Sequence, residues 1–159
     1  PAVCIGQIVQ HERLPDGRYN IILQGVCRAR ISKESAPDGE RLYREAVLQP
    51  VGLEEDPSSL VPGMREYLEQ SFDGPLRPLA AAGPLLEYVQ DEKIPTHAIM
   101  ELVSFTVLSA PDLRYRLLEE GDVTARAEII RSELDGLARV LRLASHQLPT
   151  DWPKGCSWN

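Results

Sequence analysis

Cys4-Ile-Gly-Gln-Ile-Val-Gln10, Leu14-Pro-Asp-Gly17 and Tyr19-Asn-Ile-Ile-Leu-Gln24 follow one another near the start of the chain. Two runs rich in β-branched and aromatic residues, separated by turn chemistry, read as the antiparallel strands of a hairpin. Pro15 pre-sets φ, Asp16 bonds local amides, and Gly17 is free to take φ > 0. Gly25 then interrupts the second run, which signals a bulge or a close backbone approach. Beyond it, Val26-Cys-Arg-Ala-Arg-Ile31 alternates, with Val26, Arg28 and Arg30 on one face and Cys27, Ala29 and Ile31 on the other. A polar loop with Pro37-Asp-Gly39 leads to a further strand, Tyr43 to Val51. Three or four strands are too few to close a barrel, so either upstream strands are missing or the sheet packs on helices.

After Glu54-Glu-Asp-Pro57, an acidic linker, the apolar period changes from 2 to 3.6. The pattern predicts helices near Ser59 to Phe72 and Pro84 to Glu92, then one from an N-cap at Thr96 to Leu108, apolar almost all round and so buried. Ser109-Ala-Pro-Asp112 has the form of a capping box, opening a helix that ends at Gly121 as its C′ residue. Asp122 caps the last helix, where Val123, Ala127, Ile130, Leu134, Leu137, Leu141 and Ala144 recur at spacings of four and three. That helix is about 35 Å long, with Arg131, Asp135 and Arg139 as i,i+4 partners on its other side. Packing on the chain's own helices is the plain reading of the stripe, and self-association the sharper one. The fold class is therefore α+β: an antiparallel β-rich subdomain over 1–53, a helical bundle with a long C-terminal helix over 54–147, and an irregular tail over 148–159 that is either docked by Trp152 and Trp158 or disordered.

With 43% hydrophobic and 26% charged residues the chain of 159 residues has the composition of a folded domain. Its formal charge of −7 and the absence of a Lys/Arg-dominated window argue against nucleic acid as a partner. No run approaches the ~20 apolar residues of a membrane span, and Pro1 to Gln10 lacks the basic start of a signal peptide. The chain opens directly into a strand without Met, as a fragment beginning inside a domain would. Cys4, Cys27 and Cys156 are odd in number and widely spaced, which fits a reducing, cytoplasmic compartment, with Cys4 and Cys27 as small buried thiols.

Catalytic signatures are lacking. No P-loop or Gly-rich dinucleotide fingerprint occurs, and no G-x-S-x-G elbow surrounds Ser35, Ser58, Ser59 or Ser71. His11, His97 and His146 are isolated and read as surface or cap residues; Lys33, Lys93 and Lys154 sit among polar residues, where a catalytic lysine's pKa would not fall. No catalytic residue, metal ligand or cofactor-binding residue is assigned. A small thiol hydrolase pairing Cys27 or Cys156 with His11 or His146 is the remotest of the readings.

Gly6-Gln-Ile-Val-Gln10, Leu14-Pro-Asp-Gly-Arg-Tyr19, Ile22-Leu-Gln-Gly25 and Arg28-Ala-Arg-Ile31, with Asp112-Leu-Arg-Tyr-Arg-Leu-Leu-Glu119 and Asp122-Val-Thr-Ala-Arg126, occur in the order found in the Lon N-terminal, substrate-binding domain family, which this chain resembles over residues 3 to 145. The resemblance implies a PUA-like β-barrel whose opening strands are missing here. It implies non-catalytic recognition of unfolded or tagged protein segments, with polypeptides as partners and neither the ATPase nor the Ser-Lys protease module. Apolar surface on the β portion and strand-edge pairing would do the recognising. Tyr19, Ile21 and Leu23 are the candidate peptide-binding residues, with core burial their plainer alternative. A structural module that self-associates through the last helix, giving a homo-oligomer, is the other class of function.

Overall fold

The structure, a computed structural model, describes residues 1–53 and 57–147, with side chains to residue 145. The acidic residues 54–56 and the tail 148–159, with Lys154, Cys156 and both tryptophans, lie outside the described residues, as does the side chain of His146. Three strands, β1 (Ala2–Arg13), β2 (Tyr19–Ser35) and β3 (Glu45–Val51), form an antiparallel sheet in the order β1-β2-β3. Five helices follow: α1 (Met64–Asp73), α2 (Ala82–Gln90), α3 (Thr96–Thr106), α4 (Pro111–Glu119) and α5 (Val123–Gln147). The α+β class is as the sequence predicts.

The hairpin turn forms as its residues dictate. Gly17 has φ 86°, its amide donates to the Leu14 carbonyl, and the Leu14 amide donates to the Arg18 carbonyl. Asp16 accepts from both the amide and the side chain of Arg18, and these bonds hold its carboxyl below the usual carboxylate range. The Gly25 interruption is a bulge and not a strand end: Gly25 pairs with Gly6 and Cys27 with Ile5, leaving Val26 as the extra residue. β3 starts at Glu45, two residues later than the alternation suggests.

The hydrophobic core lies in the helices. Leu68, Phe72, Leu76, Ile99, Met100, Val103, Ile130 and Leu134 are at most 1% exposed, whereas no strand residue joins that cluster. Most of the stripe on α5 is consumed here: Val123, Ala127, Ile130 and Leu134 are buried, Leu137 and Leu141 pack against the cluster, and Ala144 is exposed. Arg65 of α1 clamps the turn between α2 and α3 by donating to the carbonyls of Val89, Asp91 and Ile94, acceptors left over at a helix end. Tyr67 donates to Asp135 and to the Arg131 carbonyl, with the Arg131 guanidinium over its ring; burial, aided by Asp135, pushes its hydroxyl pKa up to about 12. Asp135 and Arg131 therefore serve α1 packing in place of the predicted pairing along α5.

Several helix ends differ from the sequence reading. Ser109 does not cap α4; Ala110 is the N-cap, and Pro111 at the first position supplies the preset φ. Gly121 is not left-handed, because Arg126 donates to the Glu120 and Gly121 carbonyls and satisfies that end directly. α1 begins only after Gly63, whose φ of 72° breaks the helical path. Thr96 is the first residue of α3 rather than its cap, while Asp122 does cap α5 by accepting from the Thr124 and Ala125 amides.

Candidate functional site

Strand pairing divides the sheet into a root and an arm. β3 pairs with β2 only from Arg28 to Ser35, so residues 6–13 and 19–26 form a two-stranded ribbon beyond it. Partners opposite one another share a face. The register therefore places Ile8 with Leu23, His11 with Ile21, and Arg13 with Tyr19 on one face, and Gln7 with Gln24, Gln10 with Ile22, and Glu12 with Asn20 on the other. The first face is apolar and aromatic, with the His11 and Tyr19 rings 6.2 Å apart; the second carries Ile22 among five polar residues.

Tyr19, Ile21 and Leu23 thus fall together, and none is buried: they are 55%, 50% and 60% exposed. Core burial, the plainer alternative, does not occur among the described residues, whose core cluster lies wholly in the helical part of the chain. Ile8 belongs with them and its strand alternation offered the same signal, blurred by the extra residue Val9 between the Ile8 and Gln10 pairings.

The helices meet this same face of the sheet, but at its root. Arg28, opposite Cys4, is bonded to Glu101 of α3, and Arg30 reaches the Glu119 carbonyl of α4 at 3.4 Å. The Ala2 amide donates to the Tyr115 hydroxyl. Gly52, at φ 68°, lies so close to Gly121 that a Cβ there would sit 2.7 Å from the Gly121 oxygen. Glu101 also approaches Arg126 at 3.6 Å, so one carboxylate serves two guanidinium groups at the junction.

Between the root and the helices is a depression of about 270 Å³ lined by Arg28, Glu101, Ser104, Phe105, Leu117 and Leu118, with Arg114 at the same wall. It is below the ~300–1,000 Å³ of small-molecule sites and suits a side chain better than a cofactor. Phe105 is 73% exposed, against the prediction that its helix is buried all round. The reason is angular: α3 buries Ile99, Met100 and Val103, and Phe105 lies about 200° around the helix from Val103. Arg114 stacks over the Phe105 ring at 5.4 Å and donates to the carbonyls of Phe105 and Leu108, which fixes that wall.

The nucleophile reading finds no support among the described residues. Cys27 pairs with Ile5 and His11 with Ile21, six positions apart along β2, or about 20 Å. Cys4, expected to be buried, is exposed. The Nδ1 atom of His97 lies 2.9 Å from the Ser58 hydroxyl, which also accepts from the His97 amide at 3.4 Å, an anchor for the start of α3. No helix among the described residues is long and apolar enough to cross a membrane.

Comparison with known proteins gives one family. The model of the ATP-dependent protease La (LON) substrate-binding domain matches residues 1–136. Among solved structures, the N-terminal domain of Mycobacterium avium complex Lon protease is similar in fold, with a TM-score of 0.56, at 20% identity over 84% of this chain and 69% of that one. No curated protein matches the sequence significantly.

Proposed function

Since the chain belongs to the ATP-dependent protease La (LON) substrate-binding domain family, we propose that it recognises unfolded or tagged polypeptide segments without covalent chemistry of its own, through the apolar face of the β1–β2 ribbon. The observation that carries this reading is that Ile8, Tyr19, Ile21 and Leu23 line one face in register and stay half exposed, with none of the core cluster packed over them. Exposed apolar surface of this kind is the signature of an interaction site. β1 is an edge strand among the described residues and offers main-chain donors and acceptors to an extended segment, and the depression beside Phe105, on the same side of the sheet, can take one of its apolar side chains.

In this reading residues 1–53 are the recognition subdomain of a PUA-like architecture and 54–147 its helical support. The partners are polypeptides and not nucleic acid or membrane, and two thiols left free at Cys4 and Cys27 suit a reducing, cytoplasmic setting. Assembly through α5 is the weaker reading, because Val123, Ala127, Ile130 and Leu134 of the predicted stripe are buried, Leu137 and Leu141 are partly so, and among the described residues only Val140 and Leu143 are large exposed apolar residues on that helix.

The test is fluorescence anisotropy of the whole chain with an unfolded model protein and its folded counterpart, at low and high salt. Preferential binding of the unfolded form that survives high salt, and is lost in a Tyr19→Ser, Ile21→Ser, Leu23→Ser chain of unchanged helical melting, is the expected result. Equal affinity for folded and unfolded forms, or full binding by the triple variant, would sink the proposal.

A further inference from the structure

The apolar row of the ribbon meets positive charge at both ends. At the tip, Arg13 lies opposite Tyr19 on the apolar face, exposed and with no carboxylate partner among the described residues. The acids of the arm do not answer it: Glu12 lies on the other face, and Asp16 accepts from Arg18. At the root, Arg28 and Arg114 both line the Phe105 depression. Glu101 is bonded to Arg28 and lies 3.6 Å from Arg126, while Arg114 donates to the neutral carbonyls of Phe105 and Leu108. Guanidinium groups therefore outnumber carboxylates among these side chains, and the field at that end is positive. The sign is local, because the chain as a whole carries a formal charge of −7.

Resting on the reading of the ribbon as the recognition face, we propose that the segments it takes are apolar stretches bounded at each end by Asp or Glu. One carboxylate meets Arg13, and the other meets Arg28 and Arg114 at the depression. The spacing sets the length. Along β2, Tyr19 to Arg28 is nine residues, one of them the unpaired Val26, so the two ends lie about 26 Å apart, the span of about eight extended residues. The apolar row supplies adhesion and the cations supply selection, since charges at the rim of an interface fix register and reject wrong partners more than they add affinity. The same apolar stretch bounded by Lys or Arg brings like charge to both ends and is disfavoured.

The test uses fluorescein-labelled peptides of about ten residues that share one apolar core and differ in their ends: Asp, Ser or Lys. Anisotropy with the whole chain at low salt should rank them Asp, Ser, Lys, with the first about threefold to tenfold tighter than the last, as exposed ion pairs allow. The net charge of −7 predicts the reverse order, so the ranking reports the local field. At 1 M salt, where the screening length is about 3 Å, the three should converge while still binding. In Arg13→Glu the advantage of the Asp ends should shrink severalfold. Equal binding of the three peptides at low salt, or a preference for Lys ends, with binding still lost in the Tyr19→Ser, Ile21→Ser, Leu23→Ser chain, would overturn the acidic preference and leave the ribbon reading in place. Binding of none of them, or binding indifferent to that triple variant, would remove the ribbon as the site and the preference with it.

Discussion

Phe72 and Leu23 are both large apolar residues in regular structure, yet Phe72 is 1% exposed and Leu23 is 60% exposed. The two stand for two regions under different demands. The helices enclose one continuous core, so an apolar side chain there is held by neighbours on every side. The ribbon is one layer thick, and its apolar face has nothing of the described chain against it. The packed core is in the first region, and the exposed apolar face is in the second.

The sharpest way to break that comparison is to truncate one member of each region. Phe72→Ala should cost about 3–5 kcal/mol, the usual cost of emptying a packed aromatic site, seen as a large fall in the urea midpoint. A loss below about 1 kcal/mol would mean that the helical core is not the centre of stability. Gly52→Ala tests the seam between the regions. Its left-handed backbone alone costs a side chain about 1–2 kcal/mol, and the new Cβ would collide with the Gly121 oxygen. Hydrogen exchange should accelerate at Arg28 and Arg30 more than in α1; uniform acceleration would contradict a seam.

A pH titration sharpens the comparison from the helical side. The Tyr67 hydroxyl has its folded pKa raised from 10.0 to about 12, so its stabilising effect is fully present below pH 10 and is lost as pH rises through 12. Thermal melting followed across that window should fall more steeply in the original chain than in Tyr67→Phe, and parallel profiles would refute the coupling. The smallest effect is expected at the arm: Leu23→Ser should change the melting curve by no more than about 0.5 kcal/mol while weakening capture of an unfolded protein. A large loss of stability would show that the ribbon face is covered in the intact protein.

The order of strands then helices, the Leu14–Gly17 turn, the bulge after Gly25, the Asp122 cap and the burial of the α5 stripe from Val123 to Leu134 were all legible, because each depends on near neighbours in sequence or on one helix's periodicity. The exposure of Phe105 and the junction of Arg28 with Glu101 were not. Nothing local to α3 says which arc meets the core, and a pairing across 73 positions leaves no trace in either stretch.

The odd positions of β2 draw the line between the two kinds of information. Tyr19, Ile21 and Leu23 before Gly25 and Cys27, Ala29 and Ile31 after it all fall at odd positions, and the sequence alone determined that each trio shares a face. Gly25 signalled a bulge or a close backbone approach, and only the tertiary structure decided for the bulge, which puts the two trios on opposite faces. Val26 has no partner, so the pairing shifts by one residue, and the period of two carries every later side chain to the opposite side. Before the bulge the apolar residues look toward the side where the helices lie, and after it that side is given to Arg28 and Arg30, which tie the sheet to the helices.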